Sequence, residues 1–334
     1  MHYVIIGAGA VGGTIGGRLH QHGHRVTLVA RGAHHEAIEQ RGLLLATPED
    51  EYKLDVPVIP GPDGLELEPD TVLVLAVKSQ DTAAAVAAWA DVPVRGGGVA
   101  GDRLPVLCVQ NGVANERLAL RLFERVYGVC VWLPATYLTA GTVQAESHPN
   151  SGMLHIGRYP RGSDELAKRV AADLSGSRFV APVRDDVMRW KYGKLLANLS
   201  NGLEALFGSA DQELAGRLRA EGMAVLDAAG IAYTSREEEV AERGDLVKLR
   251  PVAGQRRAGG STWQSLVRGA GSVEVDYLNG EIVRLGREHG VPTPLNLAVQ
   301  RAVRRAVRDG IGAGEYPLAE FQAQLGAAEI VGQG

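Results

Sequence analysis

HYVIIGAGAVGG, residues 2–13, decides the fold: a short apolar run breaks into glycines and then continues as a helical pattern. Gly7 permits a tight turn after the strand, Gly9 leaves room for a pyrophosphate beside the backbone, and Gly12 lets the following helix pack against the strand. The start of that helix presents unpaired N–H groups and the positive end of its dipole. We therefore predict a dinucleotide-binding turn over Gly7-Ala8-Gly9-Ala10-Val11-Gly12, with a purely structural turn as the alternative.

A second β-run, residues 24–30, follows at the interval expected of a βαβ unit and indicates which dinucleotide is bound. An NAD site usually has an Asp or Glu near the end of this strand, whereas a 2′-phosphate requires a cation. Here the strand ends in Val29-Ala30-Arg31-Gly32, with no acidic residue. We expect Arg31 to contact the 2′-phosphate, so that the cofactor is NADP(H). The alternative is an arginine that is only solvated.

Composition limits the classes of protein to which the chain can belong. With 334 residues, of which 45% are hydrophobic, it is long enough for two domains with ordinary packed cores. A formal charge of −4 and a pI near 6.2 give no basic surface of the kind that nucleic acid requires, so we expect no nucleic-acid partner. Because the first strand begins at residue 2 and no apolar run reaches about 18 residues, we expect no signal peptide and no membrane segment. The chain has only two cysteines, which fits a cytoplasmic location.

Cysteines and histidines give no sign of a metal site or a disulfide. Cys108 and Cys130 lie in apolar β-like runs and are expected to be reduced core residues. His148 and His155 have no companions at metal-ligand spacing. We therefore expect no metal.

Polar residues follow two further apolar runs. The run 71–77 has no polar alternation, which is typical of a parallel strand covered on both faces, and Lys78 follows it. The run 104–109 is followed by Gln110 and Asn111. Ligands of open α/β sheets lie at the carboxyl ends of the strands, so we expect Lys78 and Asn111 to contact cofactor or substrate. A solvated loop and a plain Asn-Gly turn are the respective alternatives.

The pattern changes twice further along the chain, and the changes suggest its division. Residues 126–156 are β-rich with Gly and Pro between the runs, which predicts smaller antiparallel strands that close the first domain. From Asp185 the pattern is almost wholly helical. We predict an α/β fold, with an N-terminal Rossmann-type dinucleotide-binding domain over residues 1–183 and a C-terminal all-helical domain over residues 184–334.

The segment from Asp185 to about Phe207 is predicted to be one helix that opens the second domain. On a helical wheel set to zero at Lys194, Asn198 and Asn201 fall at about 40° and −20°, whereas four leucines occupy about 100° to 180°. One face therefore packs inward and the other presents a cation and two amides. Asn is a poor helix former that a merely solvated face would seldom repeat, which favours a functional site on this face. We select Lys194, Asn198 and Asn201 as candidate site residues. Lys191, at about 60°, lies on the same edge, and a solvated polar face is the alternative.

Two later segments supply further candidates. Residues 258–265, AGGSTWQS, form a small-residue loop that runs into a helix and contains Ser261. Residues 271–280, GSVEVDYLNG, begin another helix, for which Ser272 is a candidate N-cap. Glu274 shares the apolar side of that helix. It is either a first-turn partner of the helix dipole or a partly desolvated site group.

In this order, the segments resemble the ketopantoate reductase family (2-dehydropantoate 2-reductases), and the resemblance covers nearly the whole chain. The matching motifs are the Gly7-Ala8-Gly9-Ala10-Val11-Gly12 turn, Arg31, Val77-Lys78, Gln110-Asn111-Gly112, Lys194-Leu195-Leu196-Ala197-Asn198, Ser261 and Val273-Glu274-Val275-Asp276-Tyr277-Leu278-Asn279-Gly280. The resemblance implies a Rossmann domain joined to a helical domain, with NADPH as cofactor and a small 2-oxo acid as substrate.

The resemblance also implies roles for the reacting groups. Lys194 resembles the catalytic lysine that hydrogen-bonds the keto oxygen and delivers a proton as hydride arrives from nicotinamide C4. An ammonium suits this role because negative charge grows on that oxygen in the transition state. Glu274 resembles the acid that polarises this arrangement and holds the substrate.

Further residues resemble binding groups of the family. Asn198 and Asn201 resemble groups that bind the substrate hydroxyl, and Ser261 resembles the one that binds its carboxylate. Lys78 and Asn111 resemble cofactor-side contacts that orient the lysine and the nicotinamide ribose.

The chain departs from the family pattern at three places. The family commonly has Trp two residues before the lysine, whereas Trp190 lies four before Lys194, so Lys191 stays open as the acting residue. The second amide usually follows the first by four positions, but Asn201 follows Asn198 by three. Thr262-Trp263-Gln264-Ser265 replaces the usual residues after Ser261 and brings an indole beside the expected carboxylate site.

We therefore expect an NADPH-dependent reductase of a small 2-oxo acid, with ketopantoate as the leading substrate and pantothenate synthesis as its context. A paralogue acting on another 2-oxo acid is the first alternative, and an NADPH-binding sensor without turnover is the second. The sequence does not determine the oligomeric state, and a homodimer stays open.

Overall fold

The computed structural model describes residues 1–254, 259–269, 271 and 273–331. Tertiary contacts divide the chain into two compact units, one formed by Met1–Trp190 and Glu239–Arg257 and the other by Lys191–Glu238 and Ala258–Gly334. The domain boundary after residue 183 stays a prediction, because contact density and independent folding are different properties. The predicted N-cap Ser272 lies outside the described residues.

Parallel strands form the centre of the first unit. Its strands are β1 (His2–Ile6), β2 (Arg25–Val29), β3 (Leu43–Ala46), β4 (Glu51–Leu54), β5 (Val58–Ile59), β6 (Thr71–Leu75), β7 (Pro105–Cys108), β8 (Arg125–Trp132), β9 (Ala135–Thr136), β10 (Thr142–Ala145), β11 (Ser147–Pro149), β12 (Gly152–Arg158), β13 (Phe179–Val180) and β14 (Val247–Leu249). In the described part of the chain, eight of them form one sheet in the order β13-β12-β8-β7-β6-β1-β2-β5. β1 pairs in parallel with both β2 and β6, so it lies inside the sheet.

Helices cover both faces of this sheet. The helices of the first unit are α1 (Ala10–Gln21), α2 (Gly32–Arg41), α3 (Thr82–Ala90), α4 (Ala100–Arg103), α5 (Asn115–Ala119) and α6 (Glu165–Ser175). Side chains alternate along β1, with Tyr3 and Ile5 in one apolar cluster and Val4 and Ile6 in the other. Every residue of β6 is buried, as predicted for a strand covered on both sides.

Antiparallel strands follow the parallel core. β8 pairs antiparallel with β12, with Trp132 opposite Met153, and β9 pairs antiparallel with β10, which agrees with the prediction for residues 126–156. β8 also pairs in parallel with β7, and β10 with β3, which that prediction did not include. β14 pairs with β11 and belongs to the first unit, although the sequence pattern after Asp185 indicated only helices. The partner strand lies about a hundred residues earlier in the chain, so local periodicity carries little information about this pairing.

The second unit is helical in its described residues. The remaining helices of the chain are α7 (Val187–Asn198), α8 (Asn201–Phe207), α9 (Gln212–Ala228), α10 (Arg236–Arg243), α11 (Ser261–Val267), α12 (Asn279–His289), α13 (Pro294–Asp309) and α14 (Leu318–Val331). α7 and α10 each begin in one unit and end in the other. The predicted fold class, a Rossmann-type α/β domain followed by a helical domain, is confirmed.

The prediction of one helix from Asp185 to Phe207 is wrong, because the chain turns at Leu199 and Ser200 between α7 and α8. The amide of Asn279 donates to the Leu199 carbonyl at 2.9 Å and to Asn296 Oδ1 at 3.0 Å. Asn279 and Asn296 are fully buried. A side chain therefore satisfies the carbonyl at the end of α7, and buried groups of this kind strongly favour such pairing. The common wheel for Asn198 and Asn201 does not hold.

A buried histidine in the first unit has no hydrogen bond to either ring nitrogen among the described residues. His155 packs on the Trp190 ring, with ring centroids 4.2 Å apart, and its Nε2 lies 3.6 Å from Glu242 Oε1. Burial, and secondarily the Arg184 charge, lower the pKa of His155 to about 3. The folded protein therefore holds this imidazole neutral.

His155 is expected to make stability depend on pH. Its folded pKa lies below the unfolded value of about 6.5, so its contribution is intact above pH 6.5 and is lost as the pH falls towards 3. Between pH 7 and pH 5 this loss amounts to about 2 kcal/mol. Urea unfolding at the two pH values should show a smaller difference for His155→Leu than for the parent chain. His289→Asn, at an exposed position of α12, is the control. An equal pH dependence of the free energy of unfolding in the parent and in His155→Leu would show that His155 does not contribute to it.

Candidate functional site

The glycine turn between β1 and α1 has the geometry that the sequence predicts. Gly7 has φ +105°, a conformation that favours glycine, and a Cβ there would lie 2.9 Å from the Val77 amide nitrogen. A Cβ on Gly12 would overlap the Gly7 carbonyl oxygen and lie 2.8 Å from the Ala76 Cβ. The turn therefore brings α1 directly against the strands.

Space is open at the second glycine. A Cβ on Gly9 would have no heavy atom within 4 Å among the described neighbours, and no described side chain caps α1 at this residue. The first turn of α1 contains no acidic residue. Backbone N–H groups at a helix start and an open approach fit an anionic phosphate group.

His34, which was not among the candidates from the sequence, is hydrogen-bonded to the glycine turn. Its Nδ1 accepts a hydrogen bond from the Gly141 amide at 2.9 Å, so its Nε2 carries the proton and donates to the Ala8 carbonyl at 2.8 Å. Burial lowers the pKa of His34, which favours this neutral form. A histidine in a polar helix gave no sequence signal, because its two partners lie far from it along the chain.

Arg31 lies where the second strand ends. It is exposed and forms the N-cap residue of α2, whose first turn contains no acidic residue. The amides of Gly7 and Ala8 both donate to the Val29 carbonyl, at 3.2 and 3.0 Å, so the glycine turn is attached to this strand end. Arg31 therefore lies two residues after Val29, the residue whose carbonyl binds the glycine turn.

Lys78 and Asn111 follow neighbouring strands, and a hydrogen-bond network links their loops. Ser79 donates to the Asn111 carbonyl at 3.3 Å, and the Asn115 amide donates to the same carbonyl at 3.0 Å. Asn115 in turn accepts from Thr82 at 2.8 Å. Since β1, β6 and β7 are in register at Ile6, Leu75 and Cys108, the structure brings the glycine turn and both loops to one edge of the sheet. Ser79, Thr82 and Asn115 were not selected from sequence, because plain polar residues near strand ends are common.

The second unit contains the other candidates. Lys194 and Asn198 lie one helical turn apart on α7, where Lys194 is half-buried and Asn198 is 6% exposed. Lys191 is 3% exposed, one turn earlier. The two lysines differ in exposure, and both lie on the helix edge that carries Asn198.

Asn201 and Ser261 lie near each other through α8 and α11. The Gly260 amide donates to Glu204 Oε2 at 3.2 Å, and a Cβ on Gly260 would lie 3.9 Å from Asn201 Cγ. Ser261, the first residue of α11, follows Gly260 directly and is half-buried. Glu204 was not selected from sequence, because its proximity to residue 260 is tertiary.

Glu274 is 6% exposed and begins a short 3₁₀ segment, Glu274–Tyr277. α12 begins only at Asn279, and the acid in its first turn is Glu281, which pairs with Arg284 at 2.7 Å. The dipole of α12 therefore has another acid, Glu281, as its first-turn partner. The burial of Glu274 supports the second alternative, a desolvated site group.

Neither a metal-binding cluster nor a membrane-spanning helix occurs among the described residues. Over the described ranges, no group of three or more His, Cys, Asp or Glu residues is arranged to hold a metal ion. No helix in that same part of the chain has the length and apolarity needed to span a membrane. Cys108 and Cys130 are buried thiols, as predicted.

Comparison with known proteins identifies two matching family models. The model described as ketopantoate reductase PanE/ApbA matches residues 3–161, and that described as ketopantoate reductase PanE/ApbA C terminal matches residues 186–307. A 2-dehydropantoate 2-reductase of Mesorhizobium japonicum is 30% identical, over 91% of this chain and 97% of the relative.

Solved structures share the fold. A PanE/ApbA family ketopantoate reductase from Ralstonia eutropha JMP134 superposes with a TM-score of 0.73 at 28% identity, covering 93% of this chain and 99% of that one. D-mandelate dehydrogenase with NADH and anilino(oxo)acetate has a TM-score of 0.76 at 22% identity, covering 93% and 99%. The latter likeness concerns the fold alone.

Two glycine substitutions test the turn. Gly9→Val puts side-chain atoms into the open space around the Cβ position of residue 9. We therefore expect the melting temperature of the unliganded protein to stay near that of the parent, while the Kd for NADPH, read from its fluorescence, rises by more than about tenfold. Gly12→Ala should instead lower the melting temperature, because its Cβ overlaps backbone.

The control is Gly61→Val, the same substitution at another glycine of the first unit with open space around its Cβ position. It should change neither quantity. Parent-like NADPH affinity in Gly9→Val would refute a phosphate approach at this turn.

Proposed function

The chain belongs to the ketopantoate reductase family, and we propose that it reduces 2-dehydropantoate (ketopantoate) to pantoate with NADPH. The observation that carries this proposal is the Lys194–Asn198 edge of α7, in the same unit as Asn201, Ser261 and the buried Glu274. A cation with amides and a desolvated acid suits a carbonyl that gains negative charge. The chain is thus an oxidoreductase of this family, and the resemblance inferred from its sequence is confirmed.

Lys194 is the proton donor in this proposal. Its ammonium hydrogen-bonds the keto oxygen, stabilises the charge that develops there and transfers a proton to it, which leaves a hydroxyl. When bound, NADPH supplies the hydride that reduces the keto carbon and is itself oxidised to NADP⁺. A half-buried ammonium is screened less than an exposed one, so its electrostatic effect on the oxygen is larger.

The other polar groups of the second unit orient the substrate. Glu274 holds the substrate and polarises the lysine, and its burial strengthens both interactions. Asn198 and Asn201 bind the hydroxyl, for which an amide offers both donor and acceptor. Ser261 binds the carboxylate.

The first domain, residues 1–183, binds the cofactor in this proposal, and residues 184–334 bind the substrate. The turn Gly7–Gly12 accommodates the pyrophosphate at the start of α1. Arg31 binds the 2′-phosphate, since it is exposed at the end of β2 without an acid in the following helical turn. Lys78 and Asn111 bind the nicotinamide side, in loops that the Ser79 and Asn115 hydrogen bonds hold together.

A cytoplasmic location is part of the proposal. Two buried thiols, Cys108 and Cys130, suit a reducing compartment.

Substitution of the lysine tests the reaction. Lys194→Ala should lower kcat for NADPH oxidation with ketopantoate by about 10²–10⁴-fold, because a positioned proton donor contributes that much. The Kd for NADPH should stay within about twofold, since the lysine interacts with the substrate oxygen rather than the cofactor phosphates. Absorbance of NADPH at steady state and its fluorescence in titrations measure the two quantities.

Two further lysines frame this test. Lys168→Ala, at an exposed position paired with Glu165, should leave kcat unchanged. If Lys191→Ala abolished turnover while Lys194→Ala retained it, the roles of the two lysines would be exchanged.

Substitution of the arginine tests the cofactor. Arg31→Ala should raise KM for NADPH by roughly 10- to 100-fold and hardly change KM for NADH, because only NADPH has the 2′-phosphate that the guanidinium pairs with. Arg41→Ala, at the exposed far end of the same helix, is the matched control. An equal effect of Arg31→Ala on both cofactors would remove Arg31 from the 2′-phosphate site.

The alternatives have distinct outcomes in a panel of 2-oxo acids. A paralogue would oxidise NADPH much faster with another 2-oxo acid than with ketopantoate, and the fold is also that of a D-mandelate dehydrogenase. A sensor would bind NADPH and oxidise it with no member of the panel.

A further inference from the structure

Glu204 has an unusual place in the second unit. It lies on α8 one turn after Asn201 and is half-buried, and its Oε2 accepts the hydrogen bond from the Gly260 amide at 3.2 Å. A Cβ on Gly260 would lie 2.6 Å from that oxygen, so a glycine at this position leaves the room that the carboxylate occupies. The carboxylate thus packs directly on the backbone that precedes Ser261.

No described lysine or arginine neutralises this charge. Within the described ranges, the Gly260 amide donates a hydrogen bond to the Glu204 carboxylate, and no ion pair links this carboxylate to a described residue. Water screens the electric field of a half-buried carboxylate less than that of a carboxylate at an open surface. Its negative charge therefore extends to the neighbouring residues.

Those neighbours are residues of the substrate site proposed above. Asn201 precedes Glu204 by one turn on the same helix, and Ser261 follows the amide that Glu204 accepts. A substrate carboxylate bound by Ser261 would therefore lie beside the Glu204 carboxylate. Like charges that lie side by side repel, and repulsion of this kind is a common source of specificity.

We propose that Glu204 is a specificity-determining residue, which lowers the preference of the site for a free carboxylate over an uncharged 2-oxo carbonyl compound such as a lactone, ester or amide. This inference rests on the proposed function and concerns which 2-oxo compounds the site prefers. Glu204 acts through its charge, whereas its hydrogen bond to Gly260 fixes where the charge lies.

Ketopantoate and ketopantoyl lactone provide the test, because they share one carbon skeleton and differ in the negative charge. Glu204→Gln keeps the size of the side chain and an oxygen that can accept from the Gly260 amide, and it removes the charge. We expect the ratio of kcat/KM for the acid to kcat/KM for the lactone to rise by about tenfold or more in Glu204→Gln, with the lactone value within about twofold of the parent. Glu213→Gln, at an exposed position of α9, changes the net charge equally and should leave the ratio unchanged.

The outcomes separate the inference from the function on which it rests. An unchanged ratio, or an equal fall for both substrates, would assign Glu204 a purely structural role and overturn the inference. If neither compound supported NADPH oxidation by any variant, the proposed function would fail instead. Titration of tryptophan fluorescence with pantoate and pantoyl lactone would then apply the same criterion to the ratio of the two Kd values, with a tenfold shift in Glu204→Gln supporting the charge effect and no shift overturning it.

Discussion

The close approach of α1 to the sheet at Gly12 is the constraint on which the first unit depends. A side chain there would overlap the carbonyl of Gly7, so the helix can begin at this place only if residue 12 lacks a Cβ. This close packing places the start of α1 at the carboxyl edge of β1, β6 and β7, where Lys78 and Asn111 follow their strands. The hydrogen bonds of Val29 and His34 to the turn then hold it in position.

A comparable constraint shapes the second unit. The buried amide of Asn279 takes the Leu199 carbonyl, and Asn296 extends the network to the Leu218 carbonyl at 3.2 Å and to Glu221 at 2.8 Å. Loss of one buried partner in such a network leaves another polar group unsatisfied, with a cost of about 1–3 kcal/mol. The network bonds the carbonyl at the turn between α7 and α8, and after this turn α8 places Asn201 and Glu204 beside the backbone of Gly260.

Local signals allowed the fold to be predicted. Glycine spacing, unbroken apolar strands and the change to a helical period are properties of neighbouring residues, and they predicted the turn, the parallel core, the antiparallel strands and the helical second half. Tertiary hydrogen bonds are not visible in such patterns. The turn at Leu199 depends on an amide eighty residues later, so a helical wheel drawn across it misplaced Asn201 relative to Asn198. The contributions of His34, Ser79, Asn115 and Glu204 arise in the same way from partners distant in sequence. Lys78, Asn111 and Arg31 were selected because the end of a strand is itself a local signal, and their roles stay proposals.

Hydride transfer from NADPH to the keto carbon of a 2-oxo acid is the reaction on which the proposed function depends. Incubation of ketopantoate with NADPH that carries deuterium at one or the other C4 position, followed by mass and NMR analysis of the product, tests it most directly. We expect one pantoate per NADPH oxidised, and deuterium at C2 of the product from one of the two labelled forms. NADPH that binds at the glycine turn but transfers deuterium from neither form to ketopantoate or any other 2-oxo acid would contradict it.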